Sequence, residues 1–200
     1  MNVFSKELPV SEFLNFYTQP PYNTIKETYF GFRPFFEQVA LKYPESVGVE
    51  IGVYEGYNTL GICRFCNPKK VYLVDPYSVY EEVIENIMSA YDQEYWNCIY
   101  ECARKRLEGY PVEFIRAIST EGANLVPNEL DYAYIDGDHS VKSVVKDIDT
   151  WYPKVKINGL IGGHDTLEPE VQQGIATWLY KHPEYGNTFK FKWNDWWIIK

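Results

Sequence analysis

The fold turns on one stretch, Val47-Gly48-Val49-Glu50-Ile51-Gly52-Val53-Tyr54-Glu55-Gly56-Tyr57-Asn58. A short β-branched run ends at a glycine turn, and helical spacing follows from Asn58 towards Cys66. The same rhythm repeats downstream. Residues 71–75 read as a second strand closed by Pro76, 112–116 as a third and 131–135 as a fourth. Ser140 caps a helix reaching Trp151, Asn158-Gly159 is a turn, and 160–163 form a fifth strand. Pro169 sits in the first turn of a helix ending near His182, and 78–108 carry the spacing of two helices. The last segment, 188–199, reads as a hairpin turning at Asn194-Asp195. Strands alternating with helices imply an α/β, doubly wound, mostly parallel sheet with helices on both faces. The C-terminal antiparallel hairpin brings the expected sheet to seven strands.

At about 150 residues per domain, 200 residues argue for a single domain. Within it, residues 1–40 read as an aromatic, proline-dotted lid or packing segment (Phe16-Tyr17, Pro20-Pro21, Tyr29-Phe30) and 41–200 as the sheet domain. Lys and Arg number 19 against 28 Asp and Glu, a net charge of −9, which opposes a phosphate-tracking surface and makes nucleic acid an unexpected partner. No apolar run approaches the roughly 20 residues of a membrane span. The N-terminal residues lack a signal peptide's basic and apolar regions, so a cytoplasmic, reduced protein without a membrane partner is expected. Its Tyr and Trp content leaves room for a protein interface and a homo-oligomer. Cys63, Cys66, Cys98 and Cys102 could close a tetrahedral zinc site, but both spacings also suit helix faces that hold small side chains.

Ligands of such sheets bind at the carboxyl ends of the strands. At the first tip, Gly52 and Gly56 permit close backbone approach, while Glu50 and Glu55 would repel a pyrophosphate and favour a cationic ligand. Asp75 ends the second strand 25 residues after Glu50, near the spacing at which an acid accepts ribose hydroxyls. Ile118-Ser119 follows the third strand, where a nucleobase edge would lie. The fourth and fifth strands end in Asp136-Gly137-Asp138-His139 and Gly163-His164-Asp165-Thr166. Three Asp and two His thus gather at neighbouring tips, where carboxylates could hold a hard divalent cation and Asp138 or His139 could be a general base.

Taken in order, these motifs resemble the class I S-adenosylmethionine (SAM)-dependent methyltransferases, most closely the small-molecule O-methyltransferases of the catechol and macrocin/sugar types. The segment from Glu50 to Asn58 is similar to the catechol-type loop, with Tyr54 in place of the middle glycine. Val74-Asp75-Pro76-Tyr77 is similar to the ribose-binding motif, and the two later tips resemble the macrocin-like subgroup. The likeness spans about residues 45–166. It implies a Rossmann-like fold and a SAM site in which Glu50, Gly52, Tyr54, Gly56 and Asn58 meet the methionine portion, Asp75 the ribose, and Ile118 and Ser119 the adenine, with Asp136 also at the cofactor. It further implies O-methylation of a small hydroxylated acceptor, such as a sugar or natural product. In metal-dependent relatives the Asp136 and Asp165 positions bind Mg2+ with the residue after the second, here Thr166 where relatives carry Asn or Asp. Relatives draw their base from the position of Asp138 or His139.

Two other readings fit the fold. A nicotinamide-dependent oxidoreductase is disfavoured by the missing Gly-x-Gly-x-x-Gly and by the acids in the loop. A non-catalytic SAM-binding module, or a relative using the metal corner for other chemistry, would keep the sheet and drop methyl transfer.

Overall fold

The computed structural model describes residues 33–79 and 92–200. The chain forms a seven-stranded sheet in the order β3-β2-β1-β4-β5-β7-β6. Its strands are β1 (Val47–Ile51), β2 (Lys70–Val74), β3 (Val112–Ile115), β4 (Leu130–Ile135), β5 (Val155–Gly163), β6 (Lys190–Lys192) and β7 (Asp195–Ile199). The first five pair in parallel, and the hairpin β6–β7 lies antiparallel against β5. The fold is thus the Rossmann-like α/β sheet with an antiparallel C-terminal edge.

The helices are α1 (Pro34–Lys42), α2 (Tyr57–Phe65), α3 (Gln93–Arg106), α4 (Ser119–Gly122), α5 (Val141–Trp151) and α6 (Pro169–Lys181). Successive strand side chains point to opposite faces. Along β4, Tyr132 and Tyr134 therefore join Phe35, Ile62 and Leu107 in one core, while Ala133 and Ile135 join Ile148, Trp151 and Trp178 in the other. With both faces covered, the central strands are buried almost throughout. Ser140 caps α5 by accepting the Ser143 N–H at 3.2 Å, as its position before the helix suggests.

Two expectations shift. The Asn158-Gly159 turn lies inside β5: Asn158 has φ 63°, the register slips there, and the Asn158 N–H and Gly159 carbonyl bond the backbone of Lys200. The C-terminal residue supplies the partners that a free turn would have lacked, so the strand continues through an irregularity. The hairpin turns at Trp193-Asn194, one residue early, because Asp195 pairs with Lys192 and is drawn into a buried charge network. Helix α1 spans residue 40, and its Phe35 and Phe36 belong to the core. The aromatic segment before Arg33, and the first of the two helices expected within 78–108, lie largely outside the described residues.

Candidate active site

The β1 tip is a tight loop. Gly52 and Gly56 have φ of 81° and 78°, and Tyr54 between them is also left-handed at 48°. A Cβ on Gly52 would stand 2.1 Å from the Asp136 carbonyl oxygen, so the β1 loop and β4 tip touch only because this residue is glycine.

Asp75 organises the loop. Its Oδ2 accepts the N–H groups of Val53 and Tyr54, each at 2.9 Å, and its Oδ1 accepts that of Tyr77 at 2.8 Å. These loop amides would otherwise face a phosphate. Burial pushes the Asp75 carboxyl up, and the three amide bonds oppose that rise. A cavity of about 360 Å³ opens beside it, lined by Gly52, Tyr54, Asp75, Ile118, Ser119 and Asp136 among the expected cofactor residues. Asp138 and His139 line it as well. Ser119 is held from behind, its Oγ accepting the Trp151 indole N–H at 2.8 Å.

Glu50, Gly56 and Asn58 do not line the cavity. Glu50 is wholly buried; its Oε2 accepts the Thr59 hydroxyl and its Oε1 has no partner. Burial pushes its pKa up to about 8, so at neutral pH it is mostly uncharged. The expected repulsion of phosphate by Glu50 is therefore replaced by a different device, the Asp75 carboxylate seated on the loop amides. Gly56 begins α2. Asn58 reaches the other tip, its Nδ2 donating to Asp136 Oδ2 at 2.6 Å.

At that corner one ligand atom each from Asp136, His139 and Asp165 lies within 4.8 Å of the others. His139 Nε2 is 3.1 Å from Asp165 Oδ2, and His164 Nδ1 is 2.7 Å from Oδ1. Burial would raise the Asp165 carboxyl, but hydrogen bonds from the two imidazoles outweigh it and hold it well below the ordinary range. The bond to Asp165 correspondingly raises His139. Asp138 Oδ1 accepts the Ser140 N–H at 2.9 Å. Thr166 stands apart: its hydroxyl donates to the Trp193 carbonyl at 3.2 Å. The amide beside Asp165 comes instead from Asn194, whose Nδ2 donates to Oδ1 at 3.0 Å. The cysteines do not converge, Cys63 and Cys66 being buried and Cys98 and Cys102 exposed.

Sequence reasoning missed Arg33, Asn194 and Asp195, which brace the corner from the two chain ends. It also missed Ser143, Lys146 and Asp147, which line the cavity from α5. Their i, i+3, i+4 spacing just after the Asp138-His139 tip was the available signal.

A methyltransferase-domain family model matches residues 49–166, more than half of the chain, from the first tip to the Asp165-Thr166 tip. The chain belongs to the methyltransferase-domain family. No curated protein matches the sequence significantly. Among solved structures, the O-methyltransferase NovP superposes with a TM-score of 0.60 at 18% identity, covering 82% of this chain and 76% of its own. Cofactor-bound Rv0187 from MTB gives 0.61 at 13% identity, covering 95% and 87%. The O-methyltransferase from Bacillus cereus in complex with SAH gives 0.58 at 14% identity, covering 96% and 89%. Family and fold together place this methyltransferase in class I, the SAM-dependent group. Among the described residues no helix is long and apolar enough to cross a membrane.

Proposed function

We propose that this methyltransferase transfers the methyl group of SAM to a hydroxyl oxygen of a small acceptor, such as a sugar or natural-product-like molecule. The observation that carries the reading is Asp75 on the Val53 and Tyr54 amides, beside a cavity that Asp136, Asp138 and His139 also line. Amides already bound to a carboxylate cannot cradle a pyrophosphate, and the acids lining the cavity favour a cationic nucleoside. The same point tells against a nicotinamide dinucleotide. An ionised carboxylate offers about four acceptor sites, so Asp75 keeps capacity for one ribose hydroxyl after its three amide bonds. Ile118 and Ser119 would border the adenine, and Asp136 would face the methionine end. A net charge of −9 favours a small molecule over nucleic acid as acceptor.

When bound, SAM supplies an electrophilic methyl on a sulfonium. The residues of the cavity then align the acceptor oxygen with it, and positioning of this kind contributes about 7–11 kcal/mol. Asp138 or the Asp165-oriented His139 removes the hydroxyl proton. The two carboxylates and imidazole at the corner fit a divalent cation, three protein ligands being what a catalytic site with open positions uses. Such a cation lowers the pKa of a coordinated hydroxyl and orients it. Were it bound, His139 would be one of its ligands and Asp138 would be left as the base. The mixed oxygen and nitrogen set suits Mn2+ at least as well as Mg2+.

The test is calorimetry of SAM and of NADH, followed by methyl transfer from labelled SAM to a panel of catechols and sugars with and without Mn2+. The expectation is binding of SAM and not NADH, with label on an acceptor oxygen. NADH binding without SAM binding would overturn the proposal. SAM binding without transfer to any hydroxylated acceptor would favour the non-catalytic reading.

A further inference from the structure

Arg33 belongs to no motif, yet it is 4% exposed and carries a charge into the wall behind the candidate site. Its Nη1 donates to the Tyr134 hydroxyl at 3.0 Å and lies 3.7 Å from Asp195 Oδ1, and its Nη2 lies 3.5 Å from Asp136 Oδ2. Asp195, 1% exposed, accepts the Tyr134 hydroxyl on Oδ1 and the Phe35 N–H on Oδ2, each at 3.0 Å. Residues from the start of α1, the end of β4 and the start of β7 thus form one buried network. Buried charges persist only when paired and fully hydrogen-bonded, and each member here needs the others.

The network has a consequence at the cavity. Asp136 lines it, and its Oδ2 is held twice, by Arg33 and by Asn58 at 2.6 Å. No described residue hydrogen-bonds its Oδ1, whose two lone pairs are left for the cation and for the cofactor's amino-acid half. A planar guanidinium held between Tyr134, Asp195 and Asp136 restrains the carboxylate's rotation in a way a single ammonium would not.

We propose that Arg33 is a positioning residue for methyl transfer, orienting Asp136 so that Oδ1 meets the amino-acid half of the cofactor. The inference rests on the SAM reading. In the SAM reading Asp75, Ile118 and Ser119 meet the nucleoside and Asp136 the amino-acid chain, so the effect of Arg33 falls on one half of the ligand.

Two probes separate the halves. S-adenosylhomocysteine and 5′-methylthioadenosine share the nucleoside and thioether, and only the first carries the amino-acid chain. In the full chain, Arg33→Met is expected to weaken S-adenosylhomocysteine about tenfold by calorimetry while leaving 5′-methylthioadenosine unchanged, with partial recovery in Arg33→Lys. Tyr134→Phe, which removes one hydroxyl and keeps the ring, should give a smaller change of the same pattern and serves if the Arg33 variants fail to fold. Equal weakening of both probes, or weakening of neither, would overturn the proposal. Failure of the unsubstituted protein to bind either probe would overturn the SAM reading itself, a separate outcome.

Discussion

The Asp75 carboxylate accepts the backbone N–H of Tyr54 at 2.9 Å. The tip of β2 is thereby bound to the loop after β1, in a conformation with Tyr54 at φ 48°. A loop held this way has its amides satisfied before any ligand arrives, which leaves the ligand to be chosen by carboxylate chemistry.

Asp75→Ala should therefore act twice. It strips the Val53, Tyr54 and Tyr77 amides of their acceptor, and leaving buried donors unpaired costs about 1–3 kcal/mol. It also removes the acceptor proposed for the ribose, so SAM affinity should fall by at least about tenfold, or 1.4 kcal/mol. Chemical denaturation and calorimetry read the two effects. Tight SAM binding unchanged by the substitution would end the ribose assignment.

How much of this was legible in the sequence depends on the range of the contact. The strand tips were readable because a β-branched run, a terminal acid and a glycine are local signals, and Gly52, Asp75 and Asp136 follow that pattern. Asn194-Asp195 shows the opposite case. The pair reads as turn chemistry, but Asp195 is 1% exposed and its partner Tyr134 lies 61 residues away. Arg33 and Tyr134 are separated by 101 residues. Thr166 was expected as a metal ligand beside Asp165, whereas the side chain that bonds Asp165 there is Asn194, which the hairpin folds back. The Asn194 and Asp195 contacts arise from the β5–β7 register, which no single segment encodes.

Glu50 gives a pH prediction. Its folded pKa is pushed up to about 8 from an ordinary 4.5, so between those values the folded chain holds a proton that the unfolded chain has released. The stability this contributes is complete below the unfolded pKa and is lost as pH rises towards the folded one, at up to about 1.4 kcal/mol per pH unit. Glu50→Gln cannot titrate. The gap in unfolding free energy between variant and wild type should therefore widen in favour of the variant between about pH 5 and 8. Urea titrations across that range measure it, and a gap independent of pH would show that Glu50 is ionised in the folded protein.

The proposed cation corner separates Thr166 from its neighbours. Calorimetric Mn2+ binding should be present in the wild type and lost in Asp165→Asn and His139→Ala. It should persist within about twofold in Thr166→Ala, whose hydroxyl is turned to the Trp193 carbonyl. Chelator treatment should depress methyl transfer, and Mn2+ should restore it. Absence of any Mn2+ heat with the wild-type protein would remove the cation from the proposal and leave the His139–Asp165 pair as the base.

Asp138 and His139 can be told apart by what each substitution leaves intact. Among the described residues Asp138 bonds only the Ser140 N–H at the start of α5, so Asp138→Asn keeps an oxygen for that contact and a similar shape. With the cation bound, Asp138 is the group free to take the hydroxyl proton, and a general base of this kind contributes about 10²–10⁴-fold. Asp138→Asn should therefore lower the single-turnover methyl-transfer rate by at least about 10²-fold while SAM and Mn2+ affinities stay within about twofold. His139→Ala should lose rate and Mn2+ affinity together. If Asp138→Asn transfers methyl at the wild-type rate, proton removal belongs to His139, and the raised His139 pKa set by Asp165 becomes the property to vary next.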